Sequence, residues 1–347
     1  MTTDSRFDAE RFSRQVRYQP LGPAGQALLA RAHVAIVGCG ALGSVTAAAL
    51  ARAGVGRLTL IDRDVPEWSN LPRQFLFTEQ DVRAALPKAV VAARRLQEVD
   101  SRLSVTPQVA DLTCGNIAHL IADADLIVDG TDNFETRFLI NDFACESSLS
   151  WIYGGVIGAE GRVMPVVPGV TACLRCLIPD PPAAGSLPTC DTAGVIGPAV
   201  LVVGGVQAAE AIKLLVSTDQ PPASQLLVFD LWEPTWRTID LAPLAAVGCG
   251  SCRGNDRPWL ASRQSEATLL CGQDAVQFLP AATRPADLES LAARLGEAGP
   301  VTANRWLVRA EVEPGITLSV FADGRLIVTG IRDATRARSI VARYVGL

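Results

Sequence analysis

Hydrophobic and polar positions along the first half of the chain fall into two alternating patterns. "HVAIVG" is an apolar, β-branched run without polar alternation, as expected for a strand covered on both faces. "RLTLID", "LSVTPQV", "DLIVDGTDN" and "WIYGGVI" read as further strands. Between them, "ALGSVTAAALARAG", "LPKAVVAARRLQEVD", "NIAHLIADA" and "NFETRFLINDFACESS" have helical spacing, the first ending at Gly54 and the second with Pro87 near its start. Arg11 to Gln26 is a polar lead-in with a short helix. Strands alternating with helices predict an α/β fold with a doubly wound parallel sheet.

After Gly158 the pattern changes. "GRVMPVVPG" and "LLVFDLWEPTWRTIDL" read as antiparallel strands that continue the sheet and flank the long apolar run "AGVIGPAVLVVGGVQAAEAIKLLV". Pro198, Gly197, Gly204 and Gly205 interrupt that run, and Gln207, Glu210 and Lys213 close it. Its uncharged part falls short of the roughly 20 residues a bilayer requires, so a buried helix is expected. "IPDPPAAGSLPTCDTAG" reads as a mobile loop, and the polar stretch from Arg253 to Ser265 as a linker. In the tail, "LLCGQDAVQFL" is strand-like and "ADLESLAARLGEAG" helical. "ITLSVFADGRLIVTG" is a hairpin turning at Asp323-Gly324, and "RDATRARSIVARYVG" a last helix. The expected division is a main domain over residues 1–256 and a small α+β appendage over 266–347.

Composition narrows the function. The chain has 347 residues, more than one core usually serves, and 49% of them are hydrophobic. Net charge is −5 with Lys and Arg scattered, which argues against a nucleic-acid surface. "MTTDSRFDAERFSRQ" has no apolar segment of the signal-peptide kind, so a cytoplasmic protein with no membrane partner is expected. Nine cysteines then suggest thiols or metal rather than disulfides. The only histidines are His33, opening an apolar strand, and His119, in a helix-like stretch. Both fit structural roles, which argues against a Ser-His-Asp hydrolase and a His-ligated metal enzyme.

Gly38, Gly40 and Gly43 follow the first strand, and Asp62 ends the next one 19 residues after Gly43. That is the Rossmann-like fingerprint: a tight turn, close backbone approach to phosphate, and an acid for ribose hydroxyls. The N–H groups opening the helix favour an anion. The turn alone does not choose between NAD, FAD and ATP, and glycine could serve helix–strand packing only. "IDRDVPEWSNLPRQ" adds Asn70, Arg73 and Gln74, and Lys88 follows a proline. Arg and Lys aimed at one site suggest a polyphosphate. "DGTDN" sets Asp132 at the C-terminal edge of a parallel strand, where a carboxylate can hold Mg²⁺ on phosphates. Singly, each of these could be a solvated surface charge; their joint placement at strand ends argues for a site.

"CLRC" supplies Cys173 and Cys176, and "GCGSC" supplies Cys249 and Cys252. Either pair alone could be a redox motif, but two pairs fit one closed, structural Cys₄ zinc site. Cys190 stands apart in "LPTCDTAG", where a nearby helix start favours a thiolate. Cys39, Cys114, Cys145 and Cys271 read as small buried hydrophobes.

"RFSRQ", "GCGALG", "DRDVPEWSNLPRQ", "LPKA", "TDN", "CLRC", "CDTAG" and "GCGSC" recur in the order of the ThiF/MoeB family, which the chain resembles over about residues 6–256. The tail resembles the extension of ThiF-type proteins of some bacteria. The family activates ubiquitin-like sulfur carrier proteins and is related to the ubiquitin-activating enzymes. The resemblance implies that the carrier's C-terminal Gly-Gly carboxylate attacks the α-phosphate of ATP, giving an acyl-adenylate and pyrophosphate. A carboxylate is already ionised at pH 7, so no general base is needed, in keeping with two histidines. Positioned cations offset the repulsion between the two anions.

By matching motif, Asp62 would bind ribose, and Gly40 and its neighbours would approach the phosphates. Asn70, Arg73 and Lys88 would bind phosphate oxygens, and Asp132 would hold Mg²⁺. Arg14, in "RFSRQ", would enter the site from the partner subunit of a homodimer. Pro72 stands where glutamine is common in the family and leaves the charged positions intact. Cys190 would either bond covalently to the activated carrier or be a bystander. The carrier is expected to belong to the thiamin thiazole branch, with the molybdopterin branch as the alternative. No rhodanese-like loop surrounds Cys271, so sulfur would come from a separate persulfide donor such as a cysteine desulfurase. Three other readings fit less well. An NAD-dependent oxidoreductase leaves Arg73, Lys88, Asp132 and the cysteine pairs without a role. A non-catalytic carrier-docking protein would have lost the phosphate-binding residues. Activation of a small carboxylate, such as one on a modified tRNA, leaves the cysteines unexplained.

Overall fold

The computed structural model describes residues 10–182, 190–217, 222–261, 267–269, 274–279, 285–297 and 299–346. The chain forms two compact units, Met1–Thr78 with Lys88–Ser262, and Glu79–Pro87 with Arg263–Leu347.

The first unit is built on an eight-stranded sheet in the order β3-β2-β1-β4-β5-β6-β7-β8. The strands are β1 (His33–Val37), β2 (Arg57–Ile61), β3 (Ser104–Gln108), β4 (Leu126–Asp129), β5 (Trp151–Ile157), β6 (Glu160–Val166), β7 (Gln225–Asp230) and β8 (Thr235–Asp240). β1 to β5 pair in parallel, and β5 to β8 pair antiparallel. The doubly wound sheet that turns antiparallel is therefore the one the sequence predicts. Every residue of β1 is buried, as a strand with helices on both faces requires. The longer helices are α1 (Gly22–Leu29), α2 (Ala41–Ala53), α3 (Lys88–Val99), α4 (Phe134–Ser147) and α5 (Gly197–Val216). α2 stops at Gly54, whose φ of +88° makes a left-handed cap. The expected helix near His119 is a single turn, Ile117–Leu120, with His119 exposed. His33 is buried, with Nδ1 at 2.8 Å from the Asp123 carbonyl and Nε2 at 2.8 Å from Thr59 Oγ1.

α5 is long and apolar enough to cross a membrane by length and composition. Here one face packs on α2, β5 and β6, burying Ala199, Val200, Val203, Ala208 and Ala211. That face also carries Gln207, whose amide donates to the Asp129 carbonyl at 2.7 Å. Residues 183–189 of the expected loop lie outside the described residues, and a short helical turn, Cys190–Ala193, follows them.

The second unit is a six-stranded antiparallel sheet in the order β11-β12-β13-β14-β10-β9. Its strands are β9 (Ala267–Leu269), β10 (Ala275–Phe278), β11 (Val301–Ala303), β12 (Leu307–Glu313), β13 (Ile316–Phe321) and β14 (Leu326–Thr329). Helices α6 (Leu288–Gly296) and α7 (Ala334–Tyr344) close a core of Val276, Val308, Leu318, Val328, Leu295 and Ile340. β13 and β14 form the expected hairpin, with Gly324 at φ +87° in its turn. Two expectations change. "LLCGQDAVQFL" is not one strand: Leu269 pairs back on Val276, so it folds into β9 and β10. β11 and β12 have no counterpart in the sequence reading.

Candidate nucleotide and metal sites

The turn after β1 is held by backbone packing. Gly38, at φ +85°, donates its N–H to the Ile61 carbonyl at 2.7 Å. A Cβ on Gly43 would lie 1.8 Å from the Gly38 carbonyl oxygen, and one on Gly130 would lie 2.4 Å from the same atom. The ends of β1 and β4 therefore meet backbone to backbone, and packing alone demands Gly38 and Gly43. Gly40 is different. A Cβ there would meet only Gln74 Nε2, at 3.6 Å. Packing therefore leaves room for a side chain at Gly40, at the start of α2, where N–H groups favour an anion.

Asp62 is buried at the end of β2. Its Oδ2 accepts the Cys39 N–H and its Oδ1 the Asp64 N–H, each at 2.7 Å. Burial pushes the carboxyl up from its usual range, and Lys88 pulls it back down. Lys88 opens α3 and is also buried, with Nζ 3.7 Å from Asp64. Burial works against its charge, but Asp64, Asp62 and Asp132 together hold it above its ordinary value. Arg63 pairs with Asp111 at 2.9 Å, and Asp132 also acts on it.

Asn70 is buried in a short turn, its Oδ1 accepting the Glu67 N–H at 3.1 Å. Arg73 is half-buried and donates Nη1 to the Ser69 carbonyl at 2.6 Å. Gln74 is buried, and its Oε1 has no hydrogen-bond partner among the described residues. Asp132 is exposed on the turn after β4. The fold thus pairs Lys88 with Asp64, within the electrostatic influence of Asp62 and Asp132, and sets Gln74, just after the Asn70–Arg73 turn, beside Gly40. Arg14 is exposed, and no hydrogen bond or ion pair among the described residues joins it to these groups. Nothing is described of the Cys190 side chain, and Cys271 lies outside the described residues. The sequence reading missed Arg63, Asp64, Asp129, Arg137 and Gln207. Their neighbours come from separate strands and helices, and no linear spacing flags them.

Four sulfurs converge elsewhere in this unit. Sγ separations are 3.7 Å for Cys173–Cys176, 3.5 Å for Cys173–Cys249, 3.6 Å for Cys176–Cys252 and 3.8 Å for Cys249–Cys252. Thiolates about 2.3 Å from one tetrahedral ion stand about 3.8 Å apart, so the four residues fit a single bound metal. α4 supports them. Asn141 Oδ1 accepts the Leu174 N–H at 2.8 Å, and Ser251 Oγ donates to Asp142 Oδ1 at 2.7 Å. Cys39 and Cys145 are buried as expected, and Cys114 is half-buried.

The ThiF family model matches residues 12–251. The chain is 44% identical over 338 residues to the sulfur carrier protein ThiS adenylyltransferase of Bacillus subtilis (strain 168), covering 97% of this chain and 99% of that protein. It is 36% identical to the adenylyltransferase and sulfurtransferase MOCS3 of Culex quinquefasciatus over 71% of this chain and 55% of that protein. Among solved structures it resembles E. coli MccB with ATP, at a TM-score of 0.58 and 26% identity, covering 67% of this chain and 71% of that one.

Proposed function

The chain belongs to the ThiF family, and from that membership we infer that it is an ATP-dependent adenylyltransferase of a ubiquitin-like sulfur carrier protein. The observation that carries this reading is Lys88, paired with Asp64 and within the electrostatic influence of Asp62 and Asp132, together with the room left at Gly40, at the C-terminal edge of the parallel strands. In open α/β sheets ligands bind at that edge. The near full-length likeness to a sulfur carrier adenylyltransferase supports the substrate class.

In this reading the carrier's C-terminal carboxylate forms the bond to the α-phosphorus of ATP, and pyrophosphate leaves with the electron pair of the broken bond. No proton need move, which suits a chain whose His33 is locked in structure and whose His119 is exposed on a single turn. Asp62 would orient the ribose. The N–H groups near Gly40 and the side chains of Asn70, Arg73 and Lys88 would bind phosphate oxygens. Asp132 would hold Mg²⁺, which supplies charge neutralisation on the phosphates. Arg14, exposed on its own subunit, would reach the site of a partner in a homodimer. Cys173, Cys176, Cys249 and Cys252 would hold Zn²⁺ in a closed, structural site, since four thiolates leave no position for substrate.

The protein would work in the cytoplasm, with sulfur supplied by a persulfide donor such as a cysteine desulfurase. Cys190 would capture the activated carrier; Cys190→Ala should then keep pyrophosphate exchange but lower thiocarboxylate formation, and an unchanged rate would make it a bystander. The carrier would be that of the thiamin thiazole branch. The likeness to a MOCS3 protein favours the molybdopterin-branch carrier as the second reading. The metal assignment is tested by Asp132→Ala. The fold should persist because Asp132 is exposed, and ATP–pyrophosphate exchange should fall by about 10²–10³. Near-native exchange in that variant would remove Asp132 from the chemistry.

A further inference from the structure

Two aspartates stand three residues apart after β4, yet the fold treats them in opposite ways. Asp129 is fully buried and Asp132 is exposed. The residue that separates them is Arg137, buried one turn into α4. Its Nε donates to Asp129 Oδ2 at 3.0 Å, and its Nη2 donates to the carbonyls of Thr131 at 2.5 Å and Gly154 at 2.9 Å. The guanidinium carbon lies 5.2 Å from the centre of the Tyr153 ring and 5.8 Å from that of Phe134. Asp129 Oδ1 in turn accepts both the N–H of Thr131, at 2.9 Å, and its Oγ1, at 2.6 Å. Thr131 is therefore held at its carbonyl, its N–H and its hydroxyl. On the other side, Asn133 is fixed as the N-cap of α4, its Oδ1 accepting the Thr136 N–H at 2.9 Å. Asp132 sits between two pinned residues.

We propose that Arg137 is a positioning residue for adenylation: it engages Asp129 and fixes the Thr131 carbonyl, so that Asp132 alone presents a carboxylate to the metal on the nucleotide. A planar, three-way donor is required. Lysine, with a point charge on a flexible stem, cannot reach three acceptors in fixed directions. Arg137 touches no reacting atom. It acts through Asp132, and the inference rests on the Asp132–Mg²⁺ reading above. The same network reaches the glycine turn, because Gly130, between Asp129 and Thr131, is the residue jammed against Gly38 and Gly43.

The test is the affinity of the full-length chain for ATP with and without Mg²⁺, measured for native protein, Arg137→Lys and Asp132→Ala. In Arg137→Lys the Mg²⁺-supported part of the affinity should shrink about three- to tenfold or more, as expected for lost hydrogen bonds to a charged group. Mg²⁺-free affinity should stay within about twofold. In the Asp132→Ala background, adding Arg137→Lys should change neither value. Thr131→Val, which removes only the Oγ1 bond to Asp129, is the milder variant should Arg137→Lys fail to fold, and should shift affinity the same way. Equal losses with and without Mg²⁺ would mean a merely structural role and overturn the proposal, as would an unchanged Mg²⁺ response. If instead Asp132→Ala itself binds Mg²⁺-ATP like native protein, the Asp132 reading fails first, and the two failures are distinct.

Discussion

Substituting Gly43 and Gly40 by alanine, one at a time, separates the packing glycine from the one proposed to face the nucleotide. In Gly43→Ala the new methyl would stand 1.8 Å from the Gly38 carbonyl oxygen, where real Cβ contacts essentially never fall below 3.0 Å. The oxygen has little room to move, because Gly130 packs closely on both Gly38 and Gly43 and donates its own N–H to the Val37 carbonyl at 2.7 Å. Overpacking of this kind costs about 3 kcal/mol or more. In a unit of this size each kcal/mol shifts Tm by about 2–4 °C, so Gly43→Ala should melt about 6–12 °C below native protein. Gly40→Ala meets only the amide of Gln74 at 3.6 Å and should melt within about 2 °C of native. Yet its methyl would enter the space proposed for the phosphates. Losing one charge-assisted bond there should weaken ATP binding about tenfold or more. Thermal melting and ATP titration on the same preparations read both effects. A native Tm in Gly43→Ala would refute the backbone lock, and native ATP affinity in Gly40→Ala would refute the phosphate path.

Metal analysis should find one Zn²⁺ per chain, and Cys173→Ser should lose it and lower Tm while changing ATP affinity less; reduced, freshly purified protein without zinc would contradict this. Lys88 is held above its ordinary value of 10.5, so its charge contributes stability that is fully present below the unfolded value and is lost as pH rises through the folded one. ATP affinity should thus show no Lys88 titration between about pH 7 and 10 in a comparison with Lys88→Ala, and a step within that window would contradict the charged cluster. If Arg14 acts across a dimer, inactive Arg14→Ala and Asp132→Ala proteins should regain exchange when mixed under verified subunit exchange, and no recovery would assign Arg14 to its own chain.

The centre of the parallel half is legible in the sequence because β1 and β4 are buried on both faces, leaving runs such as "VAIV" with no polar position, while β3, at the edge, is largely exposed. Asp62, Lys88 and Asp132 are legible because each stands at the end of a strand or the start of a helix, where fold topology fixes its place. Asp64 and Arg137 are not. Both are charged residues beside obvious motifs, and only the packed structure shows that Asp64 faces Lys88 and that Arg137 turns inward to Asp129. In the tail, β12 carries the alternation of a half-buried strand, Val308, Ala310 and Val312 against Arg309, Glu311 and Glu313, a signal the expected elements did not include. Val308, Ala310 and Val312 share the face of β12 that enters the core, and Leu307, one residue out of phase, is buried on the other face. The split between β9 and β10 had a local signal, the turn-forming "GQD".

The central claim is carrier-dependent adenylation, and ATP–pyrophosphate exchange tests it most directly. Purified protein with ATP, Mg²⁺ and labelled pyrophosphate should exchange label only when a sulfur carrier with an intact C-terminal Gly-Gly is present. The thiazole-branch carrier should support faster exchange than the molybdopterin-branch one, and a carrier lacking the last glycine should support none. Exchange that is independent of any carrier, or absent with both, would contradict the account.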